Sequence, residues 1–314
     1  MRYFIAGGAG FIGSELAKAL LKKEPNCEII IYDNFSNGNL NFLISIPLWK
    51  SNIKIVAADI KDLERLTREM DNCDIVYHFA SNADIAKAVA DPTIDFYEGT
   101  LLTQNILEAM RINGIKRIVY ASGSGIFGDT KGKIASEDYH PMKPISPYGA
   151  SKLAGEALIS AYCHMFDMNG IAFRFANVVG GNQTHGVTYD FINKLKINPH
   201  VLKILGNGEQ IKGYIHVDDV INGLLNIDSI WNQNYSFFNL APDDRITVKE
   251  IADIVIQEMG LDGVVCEYSG DMSWKGDVAD ITMSYEYAKR LGWKPTYTSK
   301  QAITKSIKEM LRKE

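Results

Sequence analysis

The stretch Gly7–Ser14, GGAGFIGS, narrows the fold of this chain more than any other. It follows the apolar run Tyr3–Ala6 and precedes ELAKALLKK, whose apolar spacing predicts a helix. Strand, glycine turn and helix, in that order, are the parts a βαβ unit needs to seat a diphosphate. Gly7 permits the tight turn, Gly10 lets backbone approach a ligand, and Gly13 lets helix and strand pack closely. The helix begins with unpartnered amides at Phe11, Ile12 and Gly13, which present the positive end of its dipole to phosphate. A second apolar run, Ile29–Tyr32, ends in Asp33, 20 residues after Gly13. An acid at that spacing accepts ribose hydroxyls and repels a 2′-phosphate, so the expected cofactor is NAD rather than NADP.

The alternation continues. Ile53–Ala57, Ile75–His78, Ile118–Tyr120 and Ile171–Phe175 read as further strands, with a long helix over about Thr93–Met110. Six strands with helices between them predict an α/β fold built on a doubly wound parallel sheet of the Rossmann type. Ligands bind such sheets at the carboxyl ends of the strands. Asn34, Asp59, Ile60, Phe79, Ala80, Ser81 and Phe175 all fall there and are expected around the cofactor. Asp59 suits the adenine; its structural alternative is a cap for the helix KDLERLTREM. His78, inside a strand, reads as a structural histidine.

After Asn177 the rhythm breaks into VVGGNQTHG and LGNGEQIKG, which predicts a smaller, loop-rich α/β lobe. Tyr214–Val220 is expected to return to the main sheet. The cofactor domain would then comprise 1–176 plus about 211–235, and the lobe about 177–210 plus 236–314.

The segment ISPYGASK sets Tyr148 and Lys152 four residues apart, on one face of a helix that Ser146 caps and Pro147 begins. An ammonium beside a phenol favours the phenolate and makes a usable base. Net charge is −5 over 314 residues, which gives no electrostatic reason to expect nucleic acid or an anionic membrane as partner. The cysteines Cys27, Cys73, Cys163 and Cys266 have no CxxC or metal-ligand spacing, so no metal is expected and the thiols read as reduced packing residues. No apolar run is long enough to span a bilayer. The expectation is a soluble, cytoplasmic protein.

Taken together, GGAGFIGS with Asp33, Asp59, the FAS segment, the serine-rich strand end, YGASK and RFANVVG resemble the extended short-chain dehydrogenase/reductase family. Within it the chain looks most like nucleotide-sugar 4-epimerases of the UDP-glucose 4-epimerase type. The resemblance implies that Tyr148 is the base on a sugar hydroxyl while hydride leaves the same carbon. It implies that Lys152 binds the nicotinamide ribose and lowers the phenol's pKa. It also implies a nucleotide-diphosphate sugar as substrate, with Asn177 and Lys212 at its phosphates and His185 and Tyr189 in a covering loop. A homodimer through the Thr93–Met110 and YGASK helices is a further implication.

Several positions depart from the family pattern. Gly123 stands where the family has a serine or threonine, leaving Ser122 or Ser124 as substitutes. Ser124 and Gly125 occupy the places of the acids used for dehydration or decarboxylation, which disfavours both reactions. Gly99 replaces an asparagine, while Asn105 is kept. Lys212 replaces a phosphate-binding arginine, and Trp274 and Lys275 lie where relatives often carry another. The leading expectation is a 4-epimerase working through a 4-keto intermediate. The alternatives are a net 4-dehydrogenase, for example on a GDP-heptose, whose NADH is reoxidised by a second substrate, and a non-catalytic NAD sensor.

Overall fold

The apolar runs of the first half become strands, buried on both faces except at the edge strand Asn52–Ala57. The computed structural model describes residues 1–44, 46, 52–226, 230–231, 233–270 and 276–312. The main sheet comprises β1 (Arg2–Ala6), β2 (Glu28–Asp33), β3 (Asn52–Ala57), β4 (Ile75–His78), β5 (Arg117–Gly123), β6 (Asn169–Phe175) and β7 (Tyr235–Leu240). They are hydrogen-bonded in the order β7-β6-β5-β4-β1-β2-β3. The β1–β2, β2–β3, β1–β4 and β4–β5 pairs are parallel, with Ile5 opposite both Ile31 and Tyr77. Strand order therefore reverses at β1/β4, the switch point at which such sheets bind ligands.

The chain divides into two compact units. The first comprises Met1–Gly123, Pro147–Arg174 and Ile221–Phe238. Its helices are α1 (Phe11–Lys23), α2 (Leu63–Met70), α3 (Leu101–Ile112) and α4 (Pro147–Phe166). In α1, Gly13, Leu16, Ala17 and Leu20 make the buried stripe that the 3.6-residue period demands. Phe4, Tyr32, Ile106, Ile118 and Tyr120 share one core cluster, each contributing about 1.5–3 kcal/mol by burial. Cys27, Cys73 and Cys163 are buried packing residues. The helix expected from Thr93 carries a π-helical segment, Phe96–Thr100, immediately before α3.

The second unit comprises Ser124–Ser146, Phe175–Val220 and Asn239–Glu314. It holds a four-stranded sheet of short strands and two parallel strand pairs, Asn177–Val179 with Tyr214–His216 and Val201–Leu205 with Val265–Ser269. Helices α5 (Val187–Ile197), α7 (Val248–Glu258), α8 (Glu286–Arg290) and α9 (Ser299–Leu311) belong to it, and α6 (Val217–Leu225) runs out of it. Complete capping boxes, Thr247 with Glu250 and Thr298 with Gln301, start α7 and α9. Phe191, Ile251, Val255, Ile303 and Ile307 form its core.

Two boundaries differ from the sequence reading. Tyr214–His216 pairs with Asn177–Val179 outside the main sheet, because the run is three residues long before α6 begins. The six-residue β-branched and aromatic run at Tyr235–Leu240 is the seventh strand instead. Residues 124–146 and 211–220 consequently belong to the second unit.

Candidate active site

The glycine turn is built by close contacts that only glycine tolerates. Gly7 has φ +76°, and a Cβ there would lie 2.7 Å from the Ala80 nitrogen. The amides of Phe79 and Ala80 both donate to the Ala6 carbonyl, at 2.9 and 3.1 Å, so the end of β4 rests against the turn. A Cβ on Gly13 would lie 2.4 Å from the Gly7 oxygen, which is how closely α1 approaches the strand. Gly10 caps α1 with no side-chain bond and no acid follows in the first turn, so the amides at Phe11, Ile12 and Gly13 remain for an anion. These residues fit a dinucleotide's pyrophosphate.

Asp33 is 9% exposed, with Oδ2 accepting from the Ala9 amide at 3.0 Å and Oδ1 from the Phe35 amide at 2.8 Å. Burial pushes its carboxyl up, against the pull of those two amides. The carboxylate is thereby fixed beside the glycine turn, where a ribose diol can be read. At the neighbouring strand end, Asp59 accepts from the Lys61 amide at 2.9 Å and from Asn34 Nδ2 at 3.2 Å. It caps no helix. That role belongs to Asp62, which accepts from the Arg65 amide at 3.0 Å at the start of α2. Asn105 Nδ2 donates to the Ile60 carbonyl at 3.1 Å, holding this loop to α3. Ser81 follows Phe79 and Ala80, all three half-buried.

Helix α4 comes close enough to β5 to deliver the Tyr–Lys pair because residue 155 is glycine; a Cβ there would sit 2.4 Å from the Tyr120 hydroxyl. Lys152 is 3% exposed, and its Nζ donates to the Ala121 carbonyl at 2.8 Å. It lies 5.6 Å from the Tyr148 ring centre and 5.2 Å from that of Tyr120. Burial pulls the ammonium down to about 8, opposed by Asp95. The Tyr148 phenol is pushed up to about 12, by burial first and Asp95 second. His78 Nε2 is 3.0 Å from the Thr103 hydroxyl, and burial lowers its pKa to about 3, so the imidazole is neutral and structural.

Ser122 has its proton engaged elsewhere. Its hydroxyl donates to Glu156 Oε1 at 2.5 Å and is almost wholly buried. Glu156 also takes Arg174 at 3.0 Å through Nε and 2.8 Å through Nη2, and the Tyr235 hydroxyl at 3.2 Å. Alternation along β5 turns Ser122 toward α4, one turn beyond Lys152.

Sequence reasoning also passed over Asp95 and Asn82, both buried. Asn82 Nδ2 donates to Asp95 Oδ1 at 3.0 Å and to the Asp84 carbonyl at 2.9 Å. A buried acid four residues before Gly99 was the available signal, since the two share a helix face. Gly99 itself faces α4: a Cβ there would lie 2.8 Å from the Ser151 hydroxyl.

In the second unit, Ser124 opens a 3₁₀ turn, Ser124–Ile126, and is half-buried. Phe175, the last residue of β6, is 6% exposed. Asn177 Nδ2 donates to the Gly213 carbonyl at 3.2 Å. His185 and Tyr189 are exposed, Tyr189 in the first turn of α5. Lys212 forms an ion pair with Asp277 at 2.5 Å. Trp274 and Lys275 lie outside the described residues. Among the described residues no His, Cys, Asp and Glu side chains cluster to hold a metal, and no helix is long and apolar enough to cross a membrane.

Residues 3–229 match the model of the NAD dependent epimerase/dehydratase family. The chain belongs to that family. It is an NAD-dependent enzyme of the extended short-chain dehydrogenase/reductase type, as its motifs suggested. A Methanocaldococcus jannaschii protein, named provisionally as a UDP-glucose 4-epimerase, is 32% identical over 98% of this chain and 97% of its own. A crystal structure of a UDP-galactose 4-epimerase superposes with a TM-score of 0.88 at 34% identity, covering 100% of this chain and 99% of that one. The Thermus thermophilus UDP-glucose 4-epimerase, solved with NAD, gives a TM-score of 0.87 at 28% identity over 99% of both chains.

Proposed function

We propose that the protein is a nucleotide-sugar 4-epimerase that acts through a 4-keto intermediate. The observation that carries this reading is the buried Lys152 ammonium 5.6 Å from the Tyr148 ring, in the same unit as a glycine turn whose Ala9 amide holds Asp33. Relatives at 28–34% identity that span nearly the whole chain are named for this activity. When bound, NAD supplies the hydride acceptor. Tyr148 takes the C4 hydroxyl proton onto its phenolate oxygen as the C–H bond breaks, and returns it when the carbonyl is reduced on its other face. Lys152 supplies the positive charge that favours the phenolate.

Ser124 is the serine left to assist at the C4 oxygen, since Ser122 is engaged by Glu156. Asn177 and Lys212 would bind the diphosphate, with Lys212 exchanging Asp277 for phosphate. His185 and Tyr189 would contact the sugar nucleotide. A homodimer through α3 and α4 belongs to the same reading; Ile112 and Met165 stay 54% and 71% exposed there.

The test is to incubate the NAD-loaded enzyme with UDP- and GDP-sugars, with and without a 2-keto acid, and follow products by NMR. An equilibrium pair of 4-epimers formed without keto acid, and lost in Tyr148→Phe, is expected. A stoichiometric 4-keto product that requires the keto acid would replace the epimerase with a net 4-dehydrogenase.

A further inference from the structure

We propose that Asp95 is the counter-ion of Lys152, a positioning residue that keeps the lysine charged beside Tyr148. The proposal rests on the reading of Tyr148 and Lys152 as the working pair. Burying an ammonium is costly, and a protein tolerates it only where a compensating charge is near.

Lys152 is 3% exposed and donates to a neutral carbonyl, Ala121. The groups around it come from each packed element. Tyr148 on its own helix and Tyr120 on β5 are phenols held un-ionised by burial. His78 on β4 is neutral. Glu156, one turn along α4, is matched by Arg174 in a buried bidentate pair and has no charge to spare. Asp95 remains. It is 1% exposed, Oδ1 accepts from Asn82, and Oδ2 has no hydrogen-bond partner among the described residues.

The surrounding backbone holds Asp95 in place. The π-helical segment that begins after Asp95 seats Gly99 directly on Ser151, the residue before Lys152. Asp95 and Gly99 are four apart and share the face turned to α4. Asn82 is itself fixed, donating to the Asp84 carbonyl at 2.9 Å and accepting from the Asp84 amide at 3.1 Å. The carboxylate thus has a fixed seat, with one oxygen that has no hydrogen-bond partner among the described residues, at the start of the segment that packs Gly99 against Ser151, next to Lys152. Its field acts on the pair, holding Lys152 protonated and opposing ionisation of Tyr148. The positive charge placed beside the Tyr148 ring is in this way itself maintained by an acid.

Asp95→Asn removes the charge while an amide oxygen still accepts from Asn82. The experiment is a 15N titration of the Lys152 ε-amine in NAD-loaded enzyme without sugar, its resonance assigned by loss in Lys152→Arg. The lysine midpoint is expected to fall by about one pH unit or more in Asp95→Asn, the scale of a nearby buried charge. An unchanged midpoint would overturn the proposal whatever the enzyme's substrate. Asn82→Ala serves if Asp95→Asn does not fold. It keeps the acid but loosens its seat, so a smaller downward shift supports the counter-ion role and no shift refutes it. With a sugar that turns over, the alkaline limb of kcat should move to lower pH in step with the titration. A uniform fall in kcat with an unmoved limb would mark Asp95 as merely structural.

Discussion

Ser122 and Ser124 are one residue apart, yet the fold gives them different work. Ser122 spends its proton on Glu156 inside the buried group with Arg174 and Tyr235. Ser122→Ala should therefore cost about 1.5–3 kcal/mol of stability, as for a hydrogen bond to a charged group, and leave kcat within a few-fold. A denaturant midpoint and a turnover assay on one preparation decide it. Ser124→Ala should do the reverse, losing turnover with little change in midpoint. Arg174→Met would strand the Glu156 carboxylate and should cost about 3–5 kcal/mol, seen as a large fall in Tm. None of this could be read at residue scale from the sequence. SGSG offers two hydroxyls without saying which faces α4, and Glu156 looks like one more helix-surface acid.

At the scale of elements the glycine turn was the most legible part of the chain. Its spacing reflects contacts within one βα unit, so local sequence suffices to predict it. Gly13→Ala would place a methyl 2.4 Å from the Gly7 carbonyl, backbone against backbone, and α1 would have to move off the turn. NAD affinity is expected to fall about tenfold or more, roughly 1.4 kcal/mol, measured by NAD retained on gel filtration or by quenching of intrinsic fluorescence. Gly99→Ala would set a methyl 2.8 Å from the Ser151 hydroxyl, which is held by the Tyr148 carbonyl, and 3.1 Å from the Ser151 Cβ. The π-helical segment would have to move off α4, so a fall in Tm with a shift in NAD affinity is expected. That segment itself was not legible: a single π turn shifts the apolar phase by one residue, too short a change to identify in one sequence, and packing on α4 accompanies it.

On the scale of the whole molecule, the C-terminal helix is held in the second unit by a charged cluster. His216, fully buried, contacts Asp218 and Glu309 at 3.2 Å each, and Lys305 pairs with both acids. Burial alone would lower His216, but hydrogen bonds to the two carboxylates outweigh it and raise the imidazole. Hydrogen bonding to His216 holds Asp218 at about 2. In Glu309 burial pulls upward, and His216 and Lys305 still bring it to about 2. The signs follow from linkage. The carboxylates stabilise the fold above the ordinary carboxylate range and lose that contribution as pH falls toward about 2. His216 contributes fully below its ordinary value and loses it as pH rises through the raised one. Tm should thus decline on both sides of a mildly acidic to neutral plateau. Glu309→Gln should lower the plateau and flatten the acid limb, which a pH series of melts would show.

The sequence by itself determined the doubly wound sheet, the glycine turn with Asp33 after it and the spacing of Tyr148 and Lys152, because each is written in local patterns of strand, turn and helix. The seventh strand, the boundaries of the two units, the engagement of Ser122 and the charge beside Lys152 were decided only by tertiary structure. Each depends on which distant residue arrives at a given face, and a buried charge such as Asp95 acquires its partner only when two helices separated by some fifty residues pack together.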